Sequence, residues 1–294
     1  ESEIIVEAIL GSGAQGEVRP ILDPLLFSIQ EASDDGVFLY CIDQPCGRLE
    51  ADATALLGYA RWEAIDPQTA EPFGEVGVVD LEYPETLTRE ILGIGVGAKI
   101  LDPQWYLAFL PLRDRFGDKR AHGTGLLVAG GQYMGGAAIL AGLGALRLGI
   151  GYLKVACHDS ERQLVQGELV EAPFVPWTEV CRDELSDFWE EFDSLAMGPG
   201  LGLSDDTQER VRQWYASFPR VCILDADGLN AFKYHSDLLA HHLGPRILTP
   251  HENEFERLFG KLPDSLYDRA QRVKEVAIKL KVEILLKGPI SILA

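Results

Sequence analysis

The hydrophobic and polar positions divide this chain into two textures. From Gly123 onward, short apolar runs alternate with amphipathic stretches. Runs of four to eight apolar residues bounded by turn residues predict buried strands, and apolar positions three and four apart predict helices. The predicted strands are Leu126 to Ala129, Tyr152 to Cys157, Ser194 to Met197, Val221 to Asp225, Arg246 to Leu248 and Val282 to Leu286. The predicted helices lie near Gly136 to Leu148, Ser204 to Ser217, Gly228 to Leu239, Glu252 to Leu258 and Asp264 to Leu280. Such alternation is the pattern of a mostly parallel sheet covered by helices on both faces.

Upstream the pattern is less regular. The run Glu3 to Leu10 reads as a strand entering a glycine-rich turn, and Val37 to Asp43 reads as a second buried strand followed by Gln-Pro-Cys-Gly. Between Glu50 and Phe73 the pattern blurs; Gly74 to Pro84 then supplies one more short strand. Residues Thr86 to Arg113 carry few turn signals and some helical periodicity, as a connecting segment would. The chain therefore divides into an upstream α/β unit over 1–88, a connection over 89–112 and a larger α/β domain over 113–294.

Composition narrows the partners. A formal charge of −20 over 294 residues offers no basic patch and repels polyanions, which argues against nucleic acid and anionic membranes. Five scattered cysteines (Cys41, Cys46, Cys157, Cys181, Cys222) without CxxC spacing fit neither a disulfide framework nor a zinc site, and suit a reduced, cytoplasmic setting. The longest apolar stretch, near Gly135 to Val155, is broken by glycines, Arg147 and Lys154, so it reads as helix plus strand rather than a membrane span. No secretory signal is present, although Glu1 begins in mid-pattern.

Ligands of open α/β sheets bind beyond the carboxyl ends of the strands, so the residues following each strand are the candidates for chemistry. GGQYMGGAAIL, Gly130 to Leu140, either brings backbone close to a ligand with an anion at the helix N-terminus or serves tight helix packing; it is not a Walker loop. MGPGLG, Met197 to Gly202, makes a rigid loop before a helix capped by Ser204, either lining a pocket or simply turning. LDADGLNAF puts Asp225 at a strand end with Asp227 and Asn230 just beyond. Asp225 is the better candidate to orient a hydroxyl or hold a hydrated cation, since Asp227 also suits a helix cap. LTPHENEF places His251 after a strand beside Glu252 and Glu254. The second histidine of the zincin spacing is absent, so His251 is read as a ligand-contacting donor, no metal is assigned, and the two carboxylates suit a helix N-terminus. ILLKGP puts Lys287 at a strand end, as a phosphate-facing cation or a solvated one. Five signals at one predicted sheet edge converge.

In order, those motifs resemble the ribokinase-like domain of ADP- or ATP-dependent NAD(P)H-hydrate dehydratases, a resemblance running from about Arg113 to Ala294. It implies a three-layer ribokinase-like fold and dehydration of the S epimer of hydrated NADH or NADPH. ADP or ATP would phosphorylate the added hydroxyl, with Mg²⁺. It also implies that Gly131, Gly135, Ala137, Gly200, Gly202 and His251 contact the hydrated dinucleotide, with Asp225, Asp227, Asn230 and Glu254 in support, and that Lys287 and Gly288 face the nucleotide. Homo-oligomers are common in that family.

The upstream part resembles the second half of the NAD(P)H-hydrate epimerase, a partial Rossmann-like unit often fused ahead of the dehydratase. Glu7 and Gly11 fall in its strand and glycine loop, and Asp43 and Cys46 in its Asp-x-Pro-Ser-Gly turn. Glu7 and Cys46 stand where the family has the Asp and Ser that coordinate K⁺, and the first half of the epimerase has no counterpart, so a degenerate unit is expected. The resemblance also sets the catalytic Asp in a Gly-Thr-Gly-Asp motif that would fall beyond Ala294, so no catalytic residue is assigned within the chain. Two rival readings are another ribokinase-like kinase of a small alcohol, and a non-catalytic dinucleotide-binding or scaffold protein.

Overall fold

The computed structural model describes residues 3–11, 18–84, 86, 90, 98–101, 103–110, 113–180 and 186–294. The chain separates into two compact units, Glu1–Phe109 and Leu110–Ala294.

In the first unit, β1 (Ile4–Glu7), β2 (Phe38–Ile42), β3 (Ala53–Leu57) and β4 (Glu75–Val79) form an all-parallel sheet in sequence order. The helix Asp23–Asp34 lies between β1 and β2 and buries Leu26 in a small core with Leu39, Cys41, Cys46 and Leu49. β3 corrects the blurred reading of residues 50–73. Its Ala-Thr-Ala-Leu-Leu run shows no alternation because Thr54, Ala55 and Leu56 are all buried, as in an interior parallel strand covered on both faces. In the connecting stretch a helix runs over Pro103–Phe109; much of the rest, with the glycine turn past Gly11 and Cys181, lies outside the described residues.

The second unit contains an eight-stranded sheet. Its strands are β5 (Thr124–Val128), β6 (Tyr152–Ala156), β7 (Phe174–Val175), β8 (Ser194–Met197), β9 (Val221–Leu224), β10 (Arg246–Leu248), β11 (Glu283–Leu286) and β12 (Ile292–Leu293). The order is β12-β11-β10-β9-β8-β5-β6-β7, parallel except for the antiparallel β12. Because β-strand side chains alternate between faces, β5 sends Leu126 and Val128 into one core with Trp214, Tyr215, Phe232 and Phe255, and Leu127 and Ala129 into another with Ala138, Leu153 and Val155. Two cores on opposite faces of one sheet make the three-layer α/β arrangement.

The helices follow local rules. Ser204 caps Asp205–Ser217 by accepting the Thr207 N–H at 3.2 Å, and Val211, Trp214 and Tyr215 line the buried stripe. Ser265 does the same for Leu266–Leu280. The continuous helix predicted over Gly228 to Leu239 is instead one helical turn, Asp227–Asn230, followed by a 3₁₀ turn, Ser236–Ala240. The intervening bend lets Leu229, Phe232 and Leu239 all reach the core while Tyr234 points to solvent. The two-residue strands β7 and β12 carry too short a pattern to read from sequence.

Below the site, at the amino end of β10, the Arg246 guanidinium is 1% exposed. It donates to the carbonyls of Tyr215, Phe218 and Arg220, at the end of the Asp205–Ser217 helix and in the loop that follows, and to that of its own neighbour Pro245.

Candidate functional site

Parallel strands deliver their following loops to one edge, and here the loops are tied to one another. Gly130 N–H donates to Pro199 O at 2.9 Å and Gly131 N–H to Gly200 O at 2.6 Å, so the loops after β5 and β8 form a two-bond clasp. Glycine is required for this approach: a Cβ on Gly131 would sit 2.5 Å from Leu201 O, and one on Gly200 would sit 2.9 Å from the Ala137 Cβ. Gly131, Ala137 and Gly200 are thereby gathered in one place. Gly135 opens the helix Gly135–Arg147 alongside them.

The loop after β9 joins through side chains. Gly202 N–H donates to Asp227 Oδ2 at 2.9 Å, Asn230 Nδ2 reaches Asp227 Oδ1 at 3.4 Å, and Arg257 donates to Asn230 Oδ1. Asp227 thus ties two loops together rather than capping the helix, whose N-cap is Ala226. Ala226 has φ +49° and ψ −119°, a conformation costing an L-residue about 1–3 kcal/mol and held by its surroundings. Asp225 beside it pairs with Lys287 Nζ at 2.7 Å, both side chains partly exposed. Lys287 therefore arrives with a carboxylate partner rather than as a lone cation. Gly288 follows Lys287 near Glu252, with 3.3 Å between an added Cβ and Glu252 Oε1.

His251 caps the helix Glu252–Phe259: its Nδ1 accepts the Glu254 N–H at 3.3 Å while Glu254 Oε2 accepts the His251 N–H at 3.0 Å, a reciprocal capping box. His251 Nε2 lies 3.4 Å from Glu254 Oε1 and the ring is half exposed. Its main chain pairs with Lys287 in a parallel bridge, bringing the fourth and fifth motifs together. Glu254, buried, holds the histidine; Glu252 faces outward to Arg269 at 2.6 Å.

Sequence reading missed Glu161. This side chain, 9% exposed, comes from the turn after β6, some 26 to 28 residues beyond the loop it serves. It accepts the N–H of Tyr133 at 3.0 Å and of Gly135 at 3.3 Å, and the Ser160 hydroxyl at 2.7 Å. The Ser160 hydroxyl, then the Tyr133 N–H, hold its carboxyl below the usual range against the opposing effect of burial, with the Gly135 N–H and His158 assisting. The anion position expected at this helix N-terminus is thus filled from within the chain.

Behind the clasp lies a cavity of about 310 Å³ along β5, β8 and β9, lined among others by Leu127, Ala141, Ala145, Pro199, Asp225 and Thr249. Its lining is mostly apolar, with Ser194 at the amino end of β8 and Asp225 and Thr249 beyond the carboxyl ends of β9 and β10. Among the described residues no group of three His, Cys, Asp or Glu side chains is arranged to hold a metal, and no helix is long and apolar enough to cross a membrane.

In the upstream unit, Asp43 (φ +73°) accepts from Arg61 Nη2 at 2.5 Å, and Gln44 reaches both Arg61 and the Gly11 carbonyl. Glu7 is buried; its Oε1 accepts the Ile9 N–H at 2.6 Å, and its Oε2 has no hydrogen-bond partner among the described residues. Burial, reinforced by Glu7, pushes the Cys41 thiol up to about 12, and burial also raises Cys46.

A three-layer, mostly parallel sheet whose glycine loops and acidic strand ends meet at one edge defines a ribokinase-like α/β domain. The chain belongs to the NAD(P)H-hydrate dehydratase family, which residues 125–294 match. It is 32% identical over 99% of its length to the bifunctional NAD(P)H-hydrate repair enzyme Nnr of Gloeobacter violaceus, and spans 60% of that relative. It is 37% identical to the ADP-dependent (S)-NAD(P)H-hydrate dehydratase of Bacillus subtilis, covering 64% of this chain and 66% of the relative. The crystal structure of the ADP/ATP-dependent NAD(P)H-hydrate dehydratase from Bacillus subtilis, co-crystallised with ATP/Mg²⁺, superposes with a TM-score of 0.56 at 36% identity, over 65% of this chain and 67% of that one.

Proposed function

We propose that this protein dehydrates the S epimer of hydrated NADH or NADPH, using ADP or ATP as phosphoryl donor. The observation that carries the reading is the clasp of the β5 and β8 loops beside the Asp225–Lys287 pair, at the carboxyl edge of a sheet of this family. The added hydroxyl of the hydrate gives up its proton and takes the terminal phosphoryl group, releasing AMP from ADP or ADP from ATP; phosphate then leaves with the C–O electron pair while a neighbouring ring carbon loses its proton and the double bond reforms.

The roles divide by chemistry. Gly131, Gly135, Gly200 and Gly202, with the small Ala137, keep side-chain bulk out of the loops that would receive the dinucleotide. His251, oriented by Glu254, presents an imidazole edge to the same space. Lys287 and Gly288 face the phosphates, with Asp225 keeping the ammonium in place until a nucleotide competes for it. Mg²⁺ fits as an ion carried by those phosphates, because one or two carboxylates suffice for it, and Asp225, whose Oδ1 alone is paired with Lys287, would be the carboxylate to hold it. When bound it would neutralise charge on the transferring phosphoryl group.

The upstream unit does not fit K⁺. Two of the groups around the buried Glu7 oxygen are thiols, which are poor donors to a hard alkali cation. We assign that unit no epimerase step.

Turnover of hydrated NADPH by the full protein, followed by recovery of reduced-nicotinamide absorbance with Mg²⁺ and ADP or ATP, tests the proposal. Recovery that requires a nucleotide and falls sharply in K287M supports it. Phosphorylation of simple alcohols without nicotinamide recovery would replace it with a kinase reading.

A further inference from the structure

Tyr133 is the one aromatic residue in the glycine loop, and its backbone sits at φ +66°, a left-handed conformation that costs an L-residue without a local hydrogen-bonding side chain about 1–2 kcal/mol. Its ring is 84% exposed, so no packing of the ring holds the backbone there. It is held by a turn bond, Met134 N–H to Gly131 O at 2.9 Å, and by Glu161, which takes the Tyr133 N–H on Oε1 and the Gly135 N–H on Oε2, two residues apart, and is itself steadied by Ser160. The turn that carries Glu161 is anchored by His158 N–H donating to Gly130 O at 2.9 Å. A Cβ on Gly135 would lie 2.8 Å from Glu161 Oε2, so a larger residue there would displace the carboxylate from its present position.

We propose that Glu161 is a positioning residue for the dehydratase reaction: it fixes the Tyr133 to Gly135 turn in its substrate-receiving shape and fills the helix N-terminus with the protein's own anion. The turn then receives the neutral nicotinamide side of the substrate rather than a phosphate. This inference rests on the dehydratase reading. It follows from the two-oxygen clamp, since a negative ligand at the same amides would meet a carboxylate already bound to them. The exposed Tyr133 ring, presented at the mouth of the clasp, offers a flat apolar surface to such a ring.

The test compares wild type, E161A and E161Q, each alone and in a Y133G background, by steady-state kinetics with hydrated NADPH and with ADP or ATP, and by thermal melting. E161A should raise KM for the hydrate about tenfold, the loss of a clamping hydrogen-bond pair to the turn, while leaving KM for the nucleotide within about twofold. E161Q should fall between, because its amide nitrogen faces one of the N–H donors that the carboxylate accepts. Gly at 133 takes positive φ without strain, so the E161A effect should shrink in the Y133G background. Unchanged KM for the hydrate in folded E161A and E161Q would overturn the proposal. So would an equal rise for both substrates, or an undiminished effect in Y133G. Should E161A fail to fold, E161Q carries the same comparison. Wild type that turns over no hydrate with either nucleotide removes the dehydratase reading, and the proposal with it.

Discussion

Replacing Gly131 by alanine tests the clasp directly. The new Cβ would stand 2.5 Å from Leu201 O and 3.0 Å from Gly200 O, both main-chain atoms that no rotamer change can move. Reaching an ordinary contact of about 3.4 Å requires a shift of about 0.9 Å. The Gly131 N–H to Gly200 O bond, now 2.6 Å, would stretch to the limit of hydrogen bonding. Overpacking of this kind costs about 1–3 kcal/mol, and the lost bond about 1 kcal/mol more. Because the strain is released by opening a loop rather than the sheet, much of it should surface in the site. A displacement near 1 Å lowers kcat/KM for the hydrate by about 10²-fold. The matched control is G144A in the helix Gly135–Arg147 that follows the loop, where a Cβ meets nothing within 4 Å: it should stabilise the fold by up to about 1 kcal/mol and leave kcat/KM alone. Steady-state kinetics and urea denaturation of both variants give the answer. G131A with kcat/KM within threefold of wild type would refute the reasoning.

Two further outcomes concern stability. R246A strands buried carbonyls and should cost about 3–5 kcal/mol, and R246K somewhat less because ammonium cannot reproduce the planar fork, read as a lowered urea midpoint at unchanged slope. The Thr124 N–H, then its hydroxyl, hold the Asp193 carboxyl below its usual value. A lowered folded value means that its stabilisation is complete above the ordinary aspartate range and is lost as pH falls through the lowered value. D193N should therefore flatten the acid limb of the stability profile below about pH 4, and an unchanged limb would contradict this.

Much of the domain could be read from residue pattern because its signals are local. Ser204 and Ser265 precede their helices as caps, and Leu126 to Ala129 is an apolar run ending in glycines. Gly131 and Gly200 were legible as turn glycines at strand ends, with a pocket or plain packing both open, whereas the clasp between them joins residues 69 apart. β3 was not legible, because a strand buried on both faces carries no alternation. The bend after Asn230 was not legible either: helical spacing of Leu229 and Phe232 is met by one turn as well as by three. Glu161 sits in His-Asp-Ser-Glu, which by itself reads as an ordinary turn; its partners are 26 to 28 residues away, across a helix and a strand. Likewise His251 could be read as a donor from its neighbours, but the direction of Nδ1 into the helix end is a fact of geometry.

In the proposed reaction, phosphoryl transfer from the nucleotide and nicotinamide repair are one coupled event at this strand edge. Its most direct measurement is the ratio of phosphate released to NADPH recovered when the full protein is given (S)-hydrated NADPH, Mg²⁺ and ADP or ATP. A ratio of about one is expected, with no phosphate released when the hydrate is withheld. Nucleotide that binds without any NADPH recovery, or phosphate released independently of the hydrate, would contradict it.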